Sequence, residues 1–147
     1  MIRLSSGLRA AMLWDAGLRA MMWRGTIHIY TGTQPASADM APTGTLIGRI
    51  TEDGAGFVAG AISGGLRTKA KTLTSIQDDG NWVVKGVTTG QPGWWRFKWN
   101  GLDTDDDDLY SPRIDGTVGE SLFNLPEQLF ATTEIQNVEF NFYFLGN

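Results

Sequence analysis

The sequence predicts a mainly β fold: a single antiparallel β-sandwich, with a jelly roll as its candidate topology, carrying an N-terminal amphipathic helix. Three observations point there. Short runs that alternate apolar and polar residues recur after residue 25, the period-two pattern of strands with one buried face. Glycine is abundant, 19 of 147 residues, which suits many tight turns and disfavours a helical bundle. A helical stripe occurs only at the start of the chain. With 41% hydrophobic residues and six Trp, the chain can build one core of its own. It divides into a helical arm, 1–24, and a sandwich domain, 25–147.

Ser5 or Ser6 is placed to cap a helix running to about Trp23, with Gly25 as its stop. At about 100° per residue, Leu4, Leu8, Ala11, Trp14, Leu18, Met21 and Met22 share a stripe about 140° wide, with Arg9, Ala16, Ala20 and Arg24 opposite. Asp15 interrupts the stripe, while Leu13 and Trp23 fall outside it and suggest a second contact surface. Gly7-Leu8-Arg9-Ala10 recurs as Gly17-Leu18-Arg19-Ala20, but ten residues rotate a helix by about 280°, so the two copies do not share a face.

Strands are expected at 26–31, 44–51, 56–63, 68–77, 80–88, 93–100, 112–118 and 134–145. In the first, Ile27 and Ile29 alternate with His28 and Tyr30. The following stretch to Thr45 collects Gly, Pro, Ser, Ala and Asp, with Pro35 and Pro42, and is far longer than a hairpin turn. It is expected to project as a contact loop. Asp79-Gly80 and Asn100-Gly101 are hairpin dipeptides. Residues 121–131, with Pro126, read as a connecting loop or one helical turn. In the last strand Val138, Phe140, Phe142 and Phe144 face one way, and Glu139, Asn141 and Tyr143 the other.

Charge narrows the function classes. The formal net charge is −4. Residues 1–24 hold Arg3, Arg9, Arg19 and Arg24 against Asp15, a balance of +3, which leaves −7 for the remainder. A basic arm on an acidic body suits an acidic neighbour or another copy of the chain, whereas an acidic body repels phosphate and argues against direct nucleic-acid binding. No run reaches the ~18 apolar residues of a membrane span. Arg9, Asp15 and Arg19 make a poor signal peptide of the first segment, so cytoplasmic synthesis is expected. The absence of Cys excludes disulfides, thiolate zinc sites and cysteine nucleophiles.

The candidate chemistry is sparse. His28 is the sole histidine, set opposite Ile27 and Ile29 on a solvated or interfacial face, with no nucleophile singled out to partner it. Asp103, Asp105, Asp106, Asp107 and Asp108 form an acidic cluster. Asp103, Asp105 and Asp107 would be the ligands of any bound cation. A calcium loop starting at Asp103 would want Gly where Asp108 stands and Glu where Ile114 stands, so a solvated loop is the better reading. In Gly93-Trp94-Trp95-Arg96-Phe97-Lys98-Trp99, alternation sets Trp95, Phe97 and Trp99 against Trp94, Arg96 and Lys98. One face reads as core and the other as a subunit contact, with a sugar platform of Trp94, Trp95 and Trp99 as the alternative. The glycines at 54, 56, 60, 64 and 65 make neither GxGxxG nor a Walker loop, and no GxSxG is present. No catalytic, cofactor or metal set is assigned, and no enzyme activity is expected.

Three segments carry a resemblance: IHIYTGTQPASADMAPTGTLIG from Ile27, Gly93 to Phe97, and Pro112-Arg113-Ile114-Asp115-Gly116-Thr117-Val118-Gly119. They resemble segments of small proteins encoded widely by tailed bacteriophages and prophages. The helix and the last aromatic strand fall where those proteins have theirs, so the likeness spans most of the chain. The Trp- and Met-rich helix and the DTDDDD run depart from that pattern. The resemblance implies a noncatalytic virion structural protein. The expected role is a capsid decoration (cement) protein, joining subunits of the major capsid protein and forming homo-oligomers on the particle. Its expected contacts are Leu8, Trp14, Leu18 and Trp23 on the arm and His28, Trp94 and Arg96 on the body. The alternatives are a tail, baseplate or fibre-associated subunit and a carbohydrate-binding module.

Overall fold

Alternation along the strands resolves into a sheet with two chemically opposite faces. The computed structural model describes residues 1–14, 17–18, 25–52, 66–69, 74–77, 82–99, 103–121, 125–136, 138 and 140–143. The elements in chain order are β1 (Arg3–Leu4), α1 (Ser6–Trp14), β2 (Thr26–Tyr30), β3 (Leu46–Glu52), β4 (Leu66–Lys69), β5 (Thr74–Gln77), β6 (Trp82–Gly86), β7 (Trp94–Lys98), β8 (Arg113–Thr117), α2 (Val118–Ser121), β9 (Glu134–Ile135) and β10 (Asn141–Tyr143). The protein is mainly β. Seven strands form one antiparallel sheet in the order β1-β8-β7-β2-β3-β6-β9, and three form a second sheet, β10-β5-β4.

The register of the large sheet explains its core. Leu4 lies opposite Ile114, Ile114 opposite Phe97, Phe97 opposite Ile27, Ile27 opposite Ile50, Ile50 opposite Val84 and Val84 opposite Ile135. Cross-strand partners point to the same face, so one apolar row crosses every strand. Leu8, Leu18, Trp82, Trp95, Val138 and Phe140 pack into the same cluster. Phe140 stacks on Trp82 at 5.7 Å between centroids and meets Trp95 edge-on at 4.8 Å. Each such aromatic stabilises the fold by about 1.5–3 kcal/mol through burial.

Several expectations are revised by the structure. Helix α1 spans Ser6–Trp14, the first part of the expected helix running to about Trp23; residues 15–16 and 19–24, including Trp23, lie outside the described residues. The expected strand 68–77 divides into β4 and β5, which pair as Leu66 with Gln77 and Lys69 with Thr74. The expected strand 134–145 also divides. β9 pairs with β6 at the edge of the large sheet, and β10 joins β5 in the small one. Strand 56–63 and both hairpin dipeptides lie outside the described residues. β1 was not anticipated, because two residues are too few to show periodicity.

The 31–45 turn does not project. Its ends close on each other, with Thr31 N–H donating to Thr45 O at 3.0 Å and Thr45 N–H donating to Thr31 Oγ1 at 2.9 Å. Gly44 takes φ +79°, a left-handed conformation, and a Cβ there would stand 2.1 Å from Thr31 O. The body of the turn folds back over the sheet: Trp94 Nε1–H donates to Thr43 O at 3.1 Å and Arg3 Nη1–H to Pro35 O at 2.8 Å. Sheet side chains satisfy the carbonyls of Pro35, Met40 and Thr43, which favours this closed position over an extended one.

Candidate functional site

The face opposite the apolar row carries a row of ionisable residues. Arg3 lies opposite Asp115, Asp115 opposite Arg96, Arg96 opposite His28, His28 opposite Arg49, Arg49 opposite Lys85, and Lys85 opposite Glu134. The 31–45 turn and the 103–111 loop cover the end of this row that runs from Arg3 to His28.

Under that cover the charges are paired. Arg96 donates from Nε and Nη2 to the two carboxylate oxygens of Asp115 at 2.8 and 2.9 Å, with both side chains fully buried. A second bond from Arg96 Nη2 reaches Met40 O at 2.9 Å, while Nη1 is buried without a partner among the described residues. The guanidinium lies 5.5 Å from the Trp94 ring, and Trp94 stacks on Tyr30 at 4.5 Å. Burial pushes the Asp115 carboxyl above its ordinary value, and the bonds from Arg96 only partly offset this.

Arg113 grips Asp103 through Nε at 2.7 Å and Nη2 at 2.5 Å. Burial raises the Asp103 carboxyl, but the Arg113 bonds and the Asp105 N–H outweigh it and hold the group below the usual carboxylate range. Lys98 donates to Asp105 Oδ2 at 2.6 Å and to Asp103 O at 3.0 Å. His28 Nδ1 stands 4.0 Å from Asp105 Oδ2 and 3.4 Å from Tyr30 Oη. Burial, then the neighbouring Lys98 charge, lower the His28 pKa to about 4, against a smaller opposing pull from Asp105. Burial likewise raises the Tyr30 phenol.

Asp39 joins three segments. Its Oδ1 accepts from Ser6 N–H at 2.6 Å and its Oδ2 from the Ser6 hydroxyl at 2.8 Å, at the start of α1. Its backbone oxygen accepts from Asp108 N–H at 2.7 Å. Nearby, Ala41 N–H donates to Asp107 Oδ1 at 2.6 Å. Burial raises the Asp39 carboxyl, but the Ser6 and Ser37 hydrogen bonds outweigh it and lower its pKa.

The expected contact residues therefore separate. Leu8 and Leu18 lie in the core rather than on a free arm. His28, Trp94 and Arg96 sit on the expected side of their strands, but that side is covered by two loops of the same chain, so the exposure expected of them is corrected. Trp14 alone of the described candidates presents its side chain to solvent, 86% exposed. Trp94 and Trp95 are buried, which removes two of the three rings of a sugar platform and leaves Trp99 partly exposed. Asp103, Asp105 and Asp107 spend carboxylate oxygens on Arg113, Lys98 and Ala41 instead of converging on one point.

Sequence reading missed Arg113, Asp115 and Asp39 as partners. A signal existed: Arg113 and Asp115 alternate with Ile114, as Arg96 and Lys98 alternate with Trp95 and Phe97, so two strands carried charges on one face. Exposed apolar side chains lie elsewhere. Beside Trp14 on α1 is Leu13, 85% exposed, and the neighbouring loop carries Leu109 and Tyr110, 61% and 87% exposed. Helix and loop touch at Gly7, where a Cβ would stand 2.1 Å from Tyr110 O. Among the described residues no helix is long and apolar enough to cross a membrane. Comparison with family models, with curated proteins and with solved structures finds no match.

Proposed function

We propose that this chain is a structural component of a tailed-phage virion, acting as a capsid decoration protein that stabilises contacts between subunits of the major capsid protein. The observation that carries the reading is the exposure of Leu13 and Trp14 on α1 and of Leu109 and Tyr110 on the loop that meets α1 at Gly7. Large apolar side chains left at the surface favour a protein–protein contact, and Trp and Tyr are enriched among the residues that carry binding energy in such contacts. A subunit seam of standard size buries ~1,600 Å², and repetition over a lattice adds avidity. The sequence resemblance to phage virion proteins selects the particle as the setting.

A noncatalytic role, a homo-oligomeric arrangement on the particle and sandwich packing of the two sheets belong to the same proposal. The sandwich is supported by Val138 and Phe140, which enter the core of the large sheet just before the chain becomes β10 of the small one. The deciding experiment is a reconstruction of the intact particle. Density on the capsid shell in hundreds of copies is expected; density only in the tail, at a few to dozens of copies, would assign the tail reading. Trp14→Ala should reduce occupancy on the shell at least about tenfold while leaving the melting temperature of the isolated chain unchanged, as expected of a buried interface anchor. Shells that resist heat equally well without the protein would overturn the cement role.

A further inference from the structure

We propose that the 103–111 loop, with the 31–45 turn it grips, is an acid-released latch over the ionisable row of the large sheet. The attachment of these two segments is almost wholly polar. Asp103 holds Arg113, Asp105 holds Lys98, Asp107 holds Ala41 N–H, and Asp39 holds the start of α1. Asp108 accepts from Tyr110 N–H at 2.7 Å and from the Ser111 hydroxyl, which fixes the shape of the loop. The apolar side chains Met40, Leu109 and Tyr110 point to solvent. Among the described residues of the two segments, Pro35 and Ala38 are the buried apolar members. Lifting the cover therefore exposes few apolar side chains of the two segments themselves and uncovers Trp94 and Tyr30 beneath them, while the apolar row on the far face keeps the sheet intact.

His28 links this opening to protons. Facing it are Tyr30 on its own strand, Arg96 and Lys98 on β7, Arg49 on β3, and Asp103 and Asp105 from the loop. With the loop closed, burial and the cations keep the imidazole neutral down to about pH 4. An open loop admits water and restores the ordinary value of 6.5. The open state therefore binds the extra proton, and its share grows as pH falls from 6.5 toward 4. Asp39 and Asp103 act lower. Their depressed pKa values mean that the hold they provide is complete above the ordinary carboxylate range and fades as pH drops through it.

Amide hydrogen exchange on the whole chain, corrected for the intrinsic effect of pH, tests the latch. Between pH 7 and pH 5 the loop amides, those of Ala41, Asp105, Asp108 and Tyr110, should lose protection about twentyfold, the change given by the His28 proton alone. Amides of β2, β3, β7 and β8 should keep theirs. His28→Gln should abolish this change above pH 5 while leaving the carboxylate-driven loss at lower pH. Asp105→Asn should raise loop exchange already at pH 7, and it carries the test by itself if His28→Gln fails to fold. Equal loop protection at pH 7 and 5 in the unaltered chain would overturn the proposal. So would loop and sheet amides opening together, or an Asp105→Asn chain with unchanged loop exchange at pH 7.

Discussion

The hydroxyl of Ser5 makes every hydrogen bond open to it. It donates to Ser111 O at 2.7 Å and accepts from Leu8 N–H at 3.1 Å and Arg113 N–H at 2.9 Å. It thus caps α1 and ties that helix to β8 in one atom. Ser5→Ala should cost at least about 2 kcal/mol, read by urea unfolding, since it orphans two buried N–H groups. The cap was legible from the sequence, because a serine before an apolar stripe is a local signal. The support from Asp39 was not, being 33 residues away. Removing one partner of the buried Arg96–Asp115 pair leaves a charge uncompensated. Asp115→Ala should destabilise the protein by about 3–5 kcal/mol, and Arg96→Met combined with Asp115→Leu by clearly less, as a double-mutant cycle would measure. His28 adds a pH term: its folded pKa of about 4 lies below its ordinary 6.5. Stability is therefore full above pH 6.5 and falls by about 3 kcal/mol as pH drops toward 4, a slope that His28→Gln should remove from denaturation midpoints.

Among the elements, β2, β6, β7 and β8 lie within the spans that alternation marks and β3 runs one residue past its span, because each has one apolar and one polar side. Alternation says nothing about what covers the polar side. Charged residues on a strand usually face water, so the sequence placed His28 and Arg96 outward; the 31–45 turn and 103–111 loop cover them through contacts distant in sequence. Long final strands are also ambiguous, since a run such as 134–145 can serve two sheets when its middle turns into the core. Glycines mark where elements approach closely. A Cβ at Gly93 would stand 2.0 Å from Gly32 O, whereas one at Gly119 in α2 meets nothing within 4 Å. Gly93→Ala should lower the melting temperature strongly, and Gly119→Ala should hold it or raise stability by up to about 1 kcal/mol, because alanine is the better helix former.

At the scale of the molecule, one sheet separates an apolar core from a polar interior, and both are internal to the chain. Among the described residues, the exposed side chains of Trp14 and Tyr110 are open to partners, and Tyr110 lies on the same 103–111 loop that forms the latch over the ionisable row. Mutations at these two side chains should alter association without altering stability, and mutations beneath the loops should do the reverse. The two rows across the sheet also impose a parity rule on how this chain can change. Adding one residue within a strand exchanges its odd and even positions, sending Arg96 or His28 into the core and Phe97 or Ile27 toward the charges. Two added residues restore the faces, and additions in a connection leave them untouched. A scan of single-residue insertions scored for folded protein should therefore show sharp intolerance in β2 and β7, with partial recovery for paired insertions. Length variation among descendants of this sequence should therefore favour even steps in its strands.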